Sequence, residues 1–381
     1  MDAPLLVTGG TGALGPELIV ELLTAQDGPI VVLVCHGPRG ERGSRRLVSA
    51  LTDALAGSPT QRWLDRLVIV RGDVRHPQLG LRSVDAELAR TSRVIVHAAA
   101  DTRLGATACD LHHTNVTGTR HVMNFARECR RLEQLLFVST TCVAGSRTGS
   151  IAERLEPSPP PFVNAYEWSK WSAEQLLARA EVPTRIVRLS TCLGDSKTGR
   201  VHRFGAIHQA LEWTMQGLMP LLPAADGSRF DVIATDVAAR WMARALREPV
   251  DRFEVCHVAA GVHAVDVCEL LQCAVTSFRE LSRAWKDHQI EAPAVVDAPT
   301  FARFERAVTH SGDRLFRHVL ASASAFLPML LHPKLFETHE AERVWGGALP
   351  LSDWRTTLHR VLAFAAANGW RLRAERTHAH V

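Results

Sequence analysis

The chain has 381 residues, 46% of them hydrophobic, which suits two modest domains or one large one with an insertion. Its formal net charge of +4 is spread along the chain rather than gathered into a Lys/Arg run, which argues against nucleic-acid binding and leaves room for a phosphorylated ligand or an acidic partner. No run of about eighteen apolar residues occurs and no signal-like segment precedes the first apolar run, so a cytoplasmic protein without a transmembrane segment is expected.

The first apolar run, residues 4–8, predicts a strand. A glycine-rich turn follows over 9–15, then an amphipathic helix over 16–23. Further buried strands are predicted at 30–34, 67–70, 93–98, 135–140 and 185–189, with helices between them, notably 115–129 and 166–180. Strands that are apolar throughout and alternate with helices indicate a parallel sheet covered on both faces. The expected fold is therefore α/β, a doubly wound Rossmann-type domain over residues 1–198. Beyond about Asp195 the βαβ rhythm fades, although 253–258 reads as a strand returning to the sheet. Residues 199–229 and 261–381 are expected to form a smaller, mostly helical substrate-binding region. Within it, 319–331 contains Pro328 and reads as a buried helix or the wall of an apolar pocket.

Gly9, Gly12 and Gly15 form a G-x-x-G-x-x-G turn between the first strand and its helix. Glycine permits the tight turn, the close approach of backbone to a pyrophosphate, and close helix–strand packing. Thr11, Ala13 and Leu14 complete the turn, and the helix N-terminus behind it presents unpaired N–H groups to phosphate oxygens. The second strand ends without an Asp or Glu to take a ribose 2′-hydroxyl. Arg39, Arg42, Arg45 and Arg46 follow instead, a pattern that favours the 2′-phosphate of NADPH over NADH. Asp73 and Val74 close the third strand where an adenine edge would lie. Ala98, Ala99 and Ala100 close the fourth with side chains small enough to admit a cofactor.

The only tyrosine, Tyr166, stands four residues before Lys170, one of four lysines. That spacing puts phenol and ammonium on one helix face. A neighbouring cation favours the phenolate, so the pair is expected to hand a proton over near neutral pH. The eight cysteines have neither C-x-x-C nor zinc-ligand spacing and read as small buried hydrophobes in a reducing compartment, so no metal is expected.

Together TGGTGALG (8–15), GDV (72–74), HAAA (97–100), NVTGT (115–119), FVSTTCVAG (137–145) and YEWSK (166–170) resemble, in order, the extended short-chain dehydrogenase/reductase superfamily. The stretch RLSTCLGDSKTG (188–199) narrows this to the thioester reductase and fatty acyl reductase-like, male-sterility type subfamily. Leu189 and Leu193 depart from its usual proline and valine, and the C-terminal third matches only loosely. The resemblance implies catalysis by Tyr166, Lys170 and Thr140, with Lys170 also holding the nicotinamide ribose and Asn115 supporting the cofactor site. It implies NADPH-dependent reduction of an acyl thioester, on coenzyme A or a carrier protein, to an aldehyde or alcohol. The competing readings are a ketone, aldehyde or hydroxysteroid-type carbonyl reductase, a nucleotide-sugar epimerase, and a non-catalytic NADP-binding regulator.

Overall fold

A computed structural model describes residues 3–35, 37–54 and 63–370. Seven strands form one sheet: β1 (Leu5–Thr8), β2 (Ile30–Val34), β3 (Leu67–Arg71), β4 (Val94–His97), β5 (Gln134–Thr140), β6 (Thr184–Leu189) and β7 (Phe253–Val258). Their order is β7-β6-β5-β4-β1-β2-β3, and every neighbouring pair is parallel. The order in which strands are added reverses between β1 and β4, which makes the crevice in which doubly wound folds bind their ligands.

The period-two alternation of strands sorts the core into two layers. Leu5, Val7, Val32, Val96, Val187 and Cys256 face one side, against α1 (Gly15–Ala25), α2 (Gly37–Ala54) and the later α7 (Thr235–Ala245). Leu6, Val31, Ile95, Phe137, Ile186 and Val255 face the other, against α3 (Ser83–Arg90), α4 (Gly118–Glu128) and α5 (Ala165–Ala178). A one-residue slip in any strand would exchange its two layers, so the register is strongly specified.

The C-terminal third is shared between three places. The helices α6 (Ala206–Met215), α8 (Val267–Leu281) and α12 (Trp354–Ala367) enclose one apolar cluster that includes Phe278, Leu358 and Leu362. A second, around Trp213, Phe301, Leu320 and Phe326, lies under α9 (Ala298–His310) and α10 (Arg314–Ala323). Residues Lys334–Trp345, expected in the substrate-binding region, pack back on the sheet unit. Lys334–Phe336 pairs with Gly149–Ile151, and α11 (His339–Trp345) places Ala341 and Val344 in the core, where the Ala341 carbonyl accepts from Trp241 Nε1 at 2.9 Å.

The 319–331 stretch is not one helix. It leaves α10 at Ala323 and forms a 3-10 turn at Leu327–Leu331 with Pro328 near its start. Among the described residues no helix is long and apolar enough to cross a membrane. Cys129 and Cys256 are buried as expected, but Cys35, Cys109 and Cys268 are exposed. Cys35 follows the end of β2, Cys109 belongs to a one-turn helix and Cys268 lies in the first turn of α8, so none reaches a core layer.

Candidate active site

The glycines of the first turn do different work. Gly9 has φ +80°, and a Cβ there would stand 2.5 Å from the Ala98 carbonyl carbon and the Ala99 nitrogen. The turn therefore lies backbone against backbone on the end of β4. At Gly15 a Cβ would come within 2.4 Å of the Gly10 backbone, which fixes how closely α1 meets the turn. Gly12 differs: its Cβ position is approached only by the Gly9 carbonyl, at 3.1 Å, and is otherwise open. Leu14 caps α1 without a side-chain hydrogen bond, so the first N–H groups of the helix are left for an anion. Gly10, not singled out from the sequence, packs its α-carbon against Val32 and Ile19. Thr11 packs against Gly43 of α2. The Arg39, Arg42 and Arg46 side chains lie outside the described residues, while Arg45 is exposed.

A buried polar chain supports this turn. Thr8 Oγ1 accepts from the Ala99 N–H (3.2 Å) and meets His97 Nδ1 at 2.8 Å, while His97 Nε2 meets Thr119 Oγ1 at 3.1 Å. Thr119 donates to the Asn115 carbonyl (2.6 Å), so it accepts from His97, which is then the neutral Nε2–H tautomer. Burial, with Lys170 nearby, pushes the imidazole down to about 3, in keeping with that neutral form. Asn115 sits in a π-helical turn, His112–Thr117. It accepts from the Asp101 N–H (2.8 Å) and donates to the Asp101 carbonyl and Ser169 Oγ (both 2.9 Å), joining the end of β4 to α5. Asp73 turns its carboxylate to Arg75, whose Nη2 is 2.6 Å away. Burial would raise that carboxyl, but the Arg75 hydrogen bonds hold it below the usual range. Val74 is buried against Gly118 of α4, and its carbonyl meets His121 Nδ1 at 2.9 Å.

Thr140, Tyr166 and Lys170 come together at the C-terminal end of β5. Thr140 Oγ1 accepts from the Cys142 N–H (3.1 Å), and its hydroxyl lies near enough to the Tyr166 phenol to favour the phenol's charged form. Ser139, on the opposite face of the strand, donates to Glu174 (2.5 Å). Asn164 caps α5 by accepting from the Glu167 N–H (3.0 Å) and donates to the Ala325 carbonyl (2.8 Å), tying α5 to the C-terminal region. Gly145, at φ +60°, lies against Pro160 and Pro161, where a Cβ would be 2.4 Å from the Pro161 carbonyl oxygen.

The phenol departs from expectation. Tyr166 is only 8% exposed, and burial pushes its pKa above the ordinary value, reinforced by the Cys142 thiol and opposed by the Thr140 hydroxyl. Lys170 turns its ammonium to the Val138 carbonyl (2.7 Å) and over the Phe137 ring (4.0 Å), and burial lowers it to about 7 against the pull of Glu174. Residue spacing reveals the pair but not the loss of solvent around it, and here desolvation outweighs the cation's effect on the phenol.

The G-D-S-K-T-G stretch is scaffold. Asp195 Oδ1 accepts from the backbone N–H of Lys197 (3.2 Å) and Thr198 (2.7 Å) and from the Thr198 hydroxyl (2.6 Å). Ser196 donates to Asp236 of α7 through both its N–H and Oγ (2.8 Å each), and the Ser196 carbonyl accepts from Arg360 of α12 (2.6 Å). Asp236→Ala is expected to cost about 1–3 kcal/mol by stranding these donors. Urea unfolding of the variant checks this, and an unchanged midpoint would contradict the clamp.

The family model described as "Male sterility protein", an NAD-binding family, matches residues 7–242. The chain belongs to this family. The family is one of extended short-chain, NAD(P)-binding reductases. This male sterility family chain is 34% identical over 206 residues to the isonitrile lipopeptide synthase of Streptomyces coeruleorubidus, covering 52% of the chain and 14% of that protein. It is 31% identical over 160 residues to the chloroplastic fatty acyl-CoA reductase 2 of Arabidopsis thaliana, covering 39% of the chain and 26% of the relative. The chain thus spans a small part of the curated relatives it matches. In fold it is similar to the terminal R domain from the myxalamid PKS-NRPS biosynthetic pathway, with a TM-score of 0.78, 22% identity, and 98% and 92% of the two chains covered.

Proposed function

We propose that this chain reduces an acyl thioester, carried by coenzyme A or a carrier protein, to an aldehyde or alcohol with NADPH. The observation that carries the reading is the convergence of Tyr166, Thr140 and Lys170 at the end of β5, across the crevice from the glycine turn. The relatives named above supply the substrate class.

The residues present fit a dinucleotide. The open position over Gly12 and the N–H groups at the start of α1 suit a pyrophosphate, and Lys170 suits the nicotinamide ribose. When bound, the cofactor supplies a hydride. Tyr166 carries its proton at neutral pH, so with Thr140 it hydrogen-bonds the oxygen on which charge develops as the carbonyl becomes tetrahedral. Tyr166 then yields that proton as a general acid, and collapse of the tetrahedral centre expels the thiol and leaves an aldehyde. No cysteine nucleophile takes part. Burial pushes the nearby Cys142 and Cys192 thiols up to about 11 and about 12, which keeps both protonated.

Incubation with NADPH and a panel of acyl-CoA and acyl-carrier thioesters, beside free aldehydes and ketones, tests the assignment. Release of one thiol per thioester reduced is the expected result, and turnover of ketones without any thioester turnover would replace it with the carbonyl reductase reading. Whether one or two equivalents of NADPH are used per thiol distinguishes aldehyde from alcohol. The arginines after β2 also lead us to expect a higher kcat/KM with NADPH than with NADH, and a ratio at or below one would reverse that preference.

A further inference from the structure

A buried ionic group lies beneath the catalytic helix and has no part in the chemistry above. Glu174 stands one helical turn beyond Lys170 and is fully buried. Its Oε1 accepts from Ser139 Oγ (2.5 Å) and Arg188 Nε (3.0 Å), and its Oε2 accepts from Arg188 Nη2 (2.7 Å). Arg188 is buried as well, and its Nη1 meets His257 Nε2 at 3.2 Å. His257 Nδ1 lies 2.9 Å from the Glu337 carbonyl, which can only accept, so Nδ1 carries the proton and Nε2 accepts from Arg188. Side chains from β5 and β6 thus meet on one carboxylate of α5, with His257 of β7 behind Arg188, directly behind the Thr140–Lys170 cluster.

Burying an ion pair gains little stability over well-packed apolar side chains, so the position of this one asks for another explanation. Lys170 supplies it. The β5 groups that touch the ammonium, the Val138 carbonyl and the Phe137 ring, are neutral. His97 on β4 is held neutral, Tyr166 on its own helix carries its proton, and Arg188 on β6 is positive and stands behind Glu174. Among these groups Glu174 is the anion. We propose that Glu174 is the positioning residue that keeps Lys170 a cation, with Ser139 and Arg188 fixing its carboxylate. Burial lowers Lys170 to about 7 while Glu174 opposes the fall, so the lysine is poised where loss of that charge changes its state at neutral pH.

The inference rests on Tyr166 and Lys170 being the catalytic pair, and the two ideas fail separately. With only four lysines in the chain, [ε-13C]lysine labelling of the full-length protein gives a spectrum in which the Lys170 signal is assigned by its absence from Lys170→Met. Glu174→Gln is expected to lower the Lys170 titration midpoint by about one unit or more. The alkaline limb of the pH–rate profile is expected to move down by the same amount. Ser139→Ala disturbs the same packing but keeps the charge, and is expected to leave the midpoint in place. If Glu174→Gln does not fold, Glu174→Gln/Arg188→Met removes the pair together and is expected to lower the midpoint in the same direction but by less, because the Arg188 cation goes with the nearer anion. An unmoved midpoint in the folded charge-removing variant, or an equal shift in Ser139→Ala, overturns the proposal. Near-normal turnover by Tyr166→Phe would instead remove the catalytic reading and leave the lysine titration untouched.

Discussion

Replacing Tyr166 with Phe is expected to cut turnover about 10²–10⁴-fold, the usual contribution of a positioned general acid. The substitution deletes one hydroxyl and leaves the ring, which is 8% exposed and packed at the start of α5, so stability is expected to change little. No other tyrosine is available to take over. Because burial raises the phenol's pKa, the native residue acts as a proton-bearing donor through the neutral range, and the loss is expected in kcat more than in KM. The developing oxyanion has a second donor in Thr140, which is why some activity should persist. Thr140→Ala makes a less clean test, since it also releases the Cys142 N–H that caps the turn after β5. Steady-state and single-turnover kinetics on a thioester decide the matter, and a Tyr166→Phe enzyme with near-normal turnover would rule out this role.

What the sequence makes legible is what local pattern determines. The β-branched run of β2 has the predicted bounds, because a strand apolar on both faces can only be buried in such a sheet. The glycine turn is readable because its spacing states a backbone requirement. Missing are features that join distant segments. The Asn164–Ala325 bond spans 161 residues, and the return of Lys334–Phe336 to Gly149–Ile151 has no periodic signature. Glu174 follows Lys170 at the same spacing that exposes Tyr166, yet its partners Ser139 and Arg188 are set by the order of β5 and β6, which no local pattern reports. The G-D-S-K-T-G stretch is recognisable by resemblance, but its work as a clamp between α7 and α12 becomes visible only once both helices are in place. The phenol's raised pKa belongs to the same group, since burial is a property of the whole fold.

Two alanine substitutions in the first turn are expected to fail in different ways, and the contrast tests the cofactor site. Gly9→Ala forces an L-residue to φ +80° and drives its methyl to 2.5 Å from the Ala98 carbonyl carbon and the Ala99 nitrogen. These are backbone atoms at the end of β4 and have no rotamer with which to yield. The left-handed backbone costs about 1–2 kcal/mol and the overpacking about 1–3 kcal/mol, so the variant should unfold at clearly lower denaturant. Gly12→Ala meets only the Gly9 carbonyl, at 3.1 Å, and needs a few tenths of an ångström of adjustment. Its stability is expected to stay within about 1 kcal/mol of the parent. The added methyl, however, projects into the open space above the start of α1, where a pyrophosphate would approach the backbone. NADPH binding, followed by titrating nicotinamide fluorescence, should weaken more than about ten-fold, equivalent to about 1.4 kcal/mol. Unchanged NADPH affinity in a folded Gly12→Ala protein would move the dinucleotide away from this turn. Loss of stability in Gly12→Ala equal to that in Gly9→Ala would mean instead that both glycines serve packing alone.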